Sequence, residues 1–180
     1  MKLTPMLLAL AGCLFLTGCD ETPSLLSIDP VVTDKDSKSD PALAGTWESA
    51  DDKGPLYIIR SSEKGGYDLI CVETGGSAPL TFHGQLFRVG EAELLDLAPT
   101  EESDFRIPGH AFARIWTGGT LRWTFLHSDW LKQQAGKLAT RMVGDRMLVL
   151  SPGEAVRAFL EANGENEKAY GPIAMWRRIQ

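Results

Sequence analysis

Three histidines, three cysteines and no Cys-x-x-Cys pair in 180 residues leave little from which to build a metal centre or a redox site. The sequence patterns that mark many enzymes are missing too: no Gly-x-Ser-x-Gly, no His-Glu-x-x-His, no phosphate-cradling glycine loop and no EF-hand ligand ladder. Gly75-Gly76-Ser77-Ala78-Pro79 comes nearest to a nucleophile elbow, but it lacks the final glycine and runs into no helix, so it reads as a turn. No catalytic residue and no cofactor is therefore assigned, and the chain is not expected to be an enzyme. Basic residues are scarce as well. Lys and Arg number 18 against 24 Asp and Glu, a formal charge of −6 with no cluster of basic residues along the sequence, which argues against nucleic acid as a partner. After the first nineteen residues, no apolar run is long enough to cross a bilayer.

What is present begins at the N-terminus. Lys2 supplies a small positive region, Met6 to Leu16 an apolar one about half the ~20 residues of a membrane span, and Leu16-Thr17-Gly18-Cys19 ends the run just before Asp20 and Glu21. This layout resembles a bacterial lipoprotein signal peptide with its lipobox, and the chain as a whole resembles uncharacterised bacterial lipoproteins. The resemblance implies cleavage before Cys19, a diacylglyceryl group on the Cys19 thiol, commonly a third acyl chain on the new amine, and residence on the periplasmic or outer face of a bacterial membrane. Asp20, directly after the cysteine, slightly favours the inner membrane. Two or more acyl chains hold a protein durably without any transmembrane helix.

Cysteine and charge patterns agree with export. Cys13 would leave with the signal and Cys19 would carry lipid, so Cys71 alone remains and no internal disulfide can form. Cys71 lies in a strand-like run where it shares a face with Tyr67 and Leu69, which reads as packing. Loss of residues 1–18 removes Lys2 and no acid, taking the formal charge from −6 to −7. That sign repels anionic head groups, so the acyl chains and not a basic patch are expected to anchor the protein.

Residues 19–41 are rich in Asp, Ser, Thr, Pro and Lys and read as a flexible tether. Leu25-Leu26-Ser27-Ile28 within it is too apolar for a plain linker, and either docks on the domain or sits at the membrane interface. From 42 to 180 the chain alternates short apolar runs with glycine-rich turns, as one all-β domain does. Strands are expected near 43–49, 55–61, 66–73, 79–89, 93–97, 110–117, 120–127, 145–150 and 173–179. Two helices interrupt them: one begins at Ser128, and the second is marked by a capping box at Ser151-Pro152-Gly153-Glu154 and ends at Asn163-Gly164. Both are expected to cover the edge or mouth of the sheet.

Gly45-Thr46-Trp47 at the start of the first long strand resembles the Gly-x-Trp opening of lipocalin-like barrels. The resemblance implies a mainly β fold: an antiparallel barrel of about eight or nine strands, here with two short helices near the C-terminus, whose Trp closes one end beneath a basic residue from late in the chain. Arg177 or Arg178 fits that role through a cation–π contact. The middle Thr-Asp-Tyr segment of the family is absent, and the helices precede the last strand or two.

One constellation comes from hairpin register. If Gly118-Gly119 is a two-residue turn, Trp116 faces Leu121, Arg114 faces Trp123, Phe112 faces Phe125 and His110 faces His127, all on one face. Arg114, Trp116 and Trp123 then form a candidate ligand-binding set, with the guanidinium stacked on indole or offered to an anion. His110 and His127 read as half-exposed strand-end histidines, and would become a metal pair only with a third ligand such as Asp129 or His83. Two functions are open for this lipid-anchored envelope protein. One is a carrier of a small or apolar ligand inside a lipocalin-like barrel; the other is a structural or interaction module of an envelope assembly with neither ligand nor catalysis. The filling of the barrel interior decides between them.

Overall fold

A computed structural model describes residues 23–33, 36–51, 54–75, 78–100, 109–144 and 146–179. Eight strands form a closed antiparallel barrel: β2 (Gly45–Ser49), β3 (Leu56–Ser61), β4 (Tyr67–Val72), β5 (Leu80–Val89), β6 (Ala92–Pro99), β7 (Ala111–Trp116), β8 (Thr120–Phe125) and β11 (Ala174–Arg178). The first seven follow each other around the wall as a meander. The last strand, β11, closes the cylinder by pairing with both β8 and β2. Between β8 and β11 the chain makes helix α1 (Ser128–Gln134), strands β9 (Thr140–Val143) and β10 (Arg146–Val149), and helix α2 (Gly153–Asn163).

Eight of the nine expected strands lie within a residue or two of their places in the barrel. The ninth, expected over 145–150, belongs instead to a separate three-stranded sheet in which β10 pairs with β9 on one side and with β1 (Leu25–Ser27) on the other. The described part of the expected tether is therefore not a tether. Leu25, Val31 and Val32 are buried, Asp36 meets Arg157 of α2 at 3.2 Å, and Lys38 bridges to Leu86. Apolar residues spaced through a polar stretch found a surface to cover, which decides the Leu25–Ile28 question in favour of docking on the domain.

That surface exists because strands β5 to β7 are apolar on both faces. Leu86, Leu95, Leu97, Ala111 and Ala113 point into the barrel, while Phe87, Val89, Leu94 and Phe112 point out. Val156, Phe159 and Leu160 of α2 join Leu25, Val31, Met147 and Val149 over the outward set, forming a second core outside the wall. The helix thus covers the wall and not the mouth. Its capping box is not made: Pro152 is the N-cap, and the Ser151 hydroxyl accepts the Ala139 amide at 2.8 Å, fastening the chain before β9. Where β3 and β4 face water the alternation is regular, with Tyr67, Leu69 and Cys71 buried and Asp68 exposed.

Candidate functional site

Aromatic side chains fill the barrel from both ends. At one end Trp47 is fully buried, its Nε1–H donates to the Leu43 carbonyl at 2.9 Å, and the Arg178 guanidinium lies 4.6 Å from its ring centroid. Arg178 also donates to the Ala42 carbonyl at 2.6 Å, so this closure is fixed at both partners. Asp40 ties down the loop above it. Its carboxylate accepts the Ala42 amide at 2.9 Å and the Thr117 hydroxyl at 2.6 Å, and its backbone exchanges hydrogen bonds with the Tyr67 hydroxyl.

Deeper in the barrel Trp123 and Trp176 pack with ring centroids 4.3 Å apart, and Tyr57 meets them edge-on at 4.7 and 5.5 Å. Leu69 and Leu95 close in from the opposite wall, and Gly84 lets them: a Cβ there would sit 2.8 Å from Leu69 and 3.2 Å from Leu95. Among the described residues two clefts each hold about 160 Å³ of empty space, open solvent included, against the ~300–1,000 Å³ of ligand pockets. Both run past Ser24 where the N-terminal segment meets the wall, and neither is lined by the central tryptophans.

The expected constellation on β7 and β8 is corrected by one residue. Ala113 pairs with Phe125, Arg114 with Thr124, Ile115 with Trp123 and Trp116 with Arg122. The observed pairs centre the turn on Gly119 and not between the two glycines; of the two only Gly118 has positive φ, at +150°, and the Thr117 hydroxyl is held by Asp40. A slip of one moves every side chain of one strand to the other face. Trp123 therefore lies inside the barrel, while Arg114 and Trp116 lie outside.

On the outer wall the Trp116 ring stands between two guanidiniums, Arg114 at 4.9 Å and Arg122 at 5.4 Å, and Arg114 also lies 5.4 Å from the Tyr170 ring. Arg122 sits in register with Trp116 on one side and with the half-exposed Met175 on the other. Burial pushes the Tyr170 phenol up to about 12, against a smaller opposite pull from Arg114, and its hydroxyl donates to the Gly164 carbonyl at 3.1 Å.

The histidines do not meet. His110 Nδ1 is 2.7 Å from Asp96 Oδ1, and His127 is exposed at the far side of the slipped register. His83 faces Asp68 at 3.5 Å and Asp129 pairs with Lys132 at 3.0 Å. Among the described residues no three His, Cys, Asp or Glu side chains are placed to hold a metal ion. The lipidation candidate Cys19 lies outside the described residues.

Asp96 is the polar residue that sequence reasoning missed. It is 3% exposed, and its second oxygen accepts the Val31 amide at 3.2 Å, so the pair with His110 clamps the N-terminal segment to β6. Ser27 lies opposite His110 in a short antiparallel bridge, but its hydroxyl is fully buried and donates to the Asp29 carbonyl at 2.7 Å. A serine so engaged cannot pass its proton to the imidazole, and the three groups act as a structural joint. The missed signal was the run Ala92-Glu93-Leu94-Leu95-Asp96-Leu97, too apolar for a strand with one wet face. Comparison of the chain with protein-family models, with curated proteins and with solved structures finds no match in any of the three.

Proposed function

We propose that the chain is a lipid-anchored protein of the bacterial cell envelope whose barrel is a solid interaction module and not a container. The observation that carries this reading is the packed interior: Trp47, Trp123, Trp176, Tyr57 and Tyr67 occupy the space a lipocalin-like carrier would leave for its ligand. A filled barrel still presents a rigid outer surface. Arg114, Trp116, Arg122 and Met175 supply the Arg, Trp and Met composition common at the centres of protein interfaces. The anchor half of the reading is supported by Leu16-Thr17-Gly18-Cys19 and the short apolar run before it.

Each half has its own test. The purified acylated chain, titrated with a fluorescent fatty acid, is expected to show no saturable one-to-one binding. Stoichiometric binding at micromolar concentration, with energy transfer from the interior tryptophans, overturns the solid-module reading. Separately, Cys19→Ala should abolish acyl labelling and release the protein from membranes after a high-salt wash, and retention of both overturns the anchor.

A further inference from the structure

The chain enters the folded domain at a particular edge. The Ser24 carbonyl accepts the Met147 amide at 2.8 Å, and Leu25 begins β1 in register with Met147, so the entry point lies beside the β9–β10 hairpin. One cleft brings Ser24 together with Ser128, Leu131, Lys132, Met142 and Met147. Ser24 is five positions after Cys19, a reach of about 17 Å when fully extended. If Cys19 carries acyl chains, whatever surrounds Ser24 is held within about 17 Å of the bilayer surface.

What surrounds it suits that position. Met142 and Val143 are 47% and 51% exposed, unusual for apolar side chains of a strand, and β9 is the outer edge of its sheet. Arg141, Val143 and Arg146 share one face, because Val143 pairs with Arg146 and Arg141 lies two residues along. Lys132, Lys137, Arg141 and Arg146 fall within fifteen residues of a chain whose net charge is −6. Among the described residues Arg141 and Arg146 have no acidic partner, while Asp129 engages Lys132. Asp20 and Glu21 in the connecting segment, and Asp145 between the arginines in sequence, oppose a long-range pull toward anionic lipid. Short-range contacts remain: guanidiniums bind the phosphates that every phospholipid head group carries, and thioether and isopropyl groups enter the interfacial layer beneath them.

We infer that the β9 edge strand, with Arg141, Val143 and Arg146 on one face and Met142 on the other, is a membrane-docking element that sets the domain edge-on against phospholipid head groups. This rests on the proposed lipidation of Cys19. The β3–β4 turn around Lys64 opens at the opposite end of the barrel and faces away from the bilayer.

The test uses the full-length acylated protein reconstituted in vesicles of phosphatidylethanolamine and phosphatidylglycerol, with a nitroxide at Val143→Cys or, as control, at Lys64→Cys. The label at 143 should lose at least threefold of its accessibility to a water-soluble nickel complex on reconstitution, and the label at 64 should lose none. Adding Arg141→Glu and Arg146→Glu should restore access at 143 while the protein still floats with the vesicles. Equal accessibility at both positions in protein that carries acyl mass and floats overturns the docking and leaves the anchor standing. Protein that lacks acyl mass and does not float overturns both. Protection at 143 that grows with protein density at fixed lipid composition points to a second copy and also overturns it.

Discussion

The core inside the barrel and the core outside its wall solve the same burial problem with different materials. Inside, Trp47, Trp123, Trp176 and Tyr67 pack among leucines and isoleucines, and all but Trp176 come from the seven strands of the meander. Outside, aliphatic residues predominate around Phe87, Phe112 and Phe159, gathered from positions as distant as Leu25, Val31, Leu94, Met147 and Leu160. A meander brings its inner face together as a consequence of local pairing. The outer core exists only after the N-terminal segment and α2 have both returned to the wall, so it carries the long-range closure entropy of the fold. The inner core is expected to be the more stable of the two and the outer layer to open first.

Trp47→Ala tests the inner core most severely. It removes a fully buried indole, its hydrogen bond to Leu43 and the surface on which Arg178 stacks, so the loss should be about 3–5 kcal/mol, read as a shift of the urea midpoint. Both cores should unfold together, because the outer layer has no wall to cover once the barrel opens. A change under ~1 kcal/mol would show that the barrel end can collapse around the gap.

Leu160→Ala tests the other side. Deleting this 1% exposed side chain of α2 should cost about 2–4 kcal/mol. The sharper reading is spatial. Amide exchange should rise in β1, β10 and α2 well before it rises in β2 to β4. Uniform acceleration across the barrel would merge the two cores into one cooperative unit.

The difference between the cores also explains what could be read from the sequence. Barrel strands announce themselves by alternation and glycine punctuation, so their positions were legible in the residues themselves, while the Trp47 closure followed from the lipocalin-like resemblance, which left Arg177 or Arg178 as its partner until the fold placed Arg178 there. Partners that are remote in sequence were not. Leu25–Ser27 is three residues long, too short for a period to emerge, and its strand partner lies 122 residues away, as Leu25 and Met147 show. The β7–β8 register turned on the Thr117 hydroxyl, which Asp40 captures from 77 residues away, a contact no local turn rule contains. Arg114 and Trp116 did come together as expected, because two residues apart on one strand always share a face; Trp123 did not, because its place depended on that register.

The joint between the cores is Asp96. Asp96→Asn keeps the shape but removes the charge that His110 and the Val31 amide share, and should cost about 1–3 kcal/mol. Because the clamp holds the N-terminal segment and not the barrel, exchange at Val31, Val32 and Leu25 should rise most. If limited proteolysis in that segment proceeds at the wild-type rate, the clamp is not what holds it.

The smallest effect is the most selective. Tyr170 packs against the outer core, and burial raises its phenol to about 12 from an ordinary value near 10. A raised native value means that the folded chain keeps its proton longer than the unfolded one. Below pH ~10 both states are neutral at this residue and stability does not depend on its ionisation. Between about 10 and 12 the unfolded chain ionises first, so stability must fall as pH rises, by about 1–2 kcal/mol in all once the partial exposure of Tyr170 and the counter-pull of Arg114 are allowed for. Tyr170→Phe should lower neutral-pH stability by about 1 kcal/mol through the lost hydrogen bond to Gly164, and should flatten the alkaline slope. Urea midpoints of the two proteins at pH 9, 10.5 and 11.5 measure both at once. Parallel slopes would place the alkaline sensitivity elsewhere and remove Tyr170 from the set of groups that make the outer core weaker than the inner one.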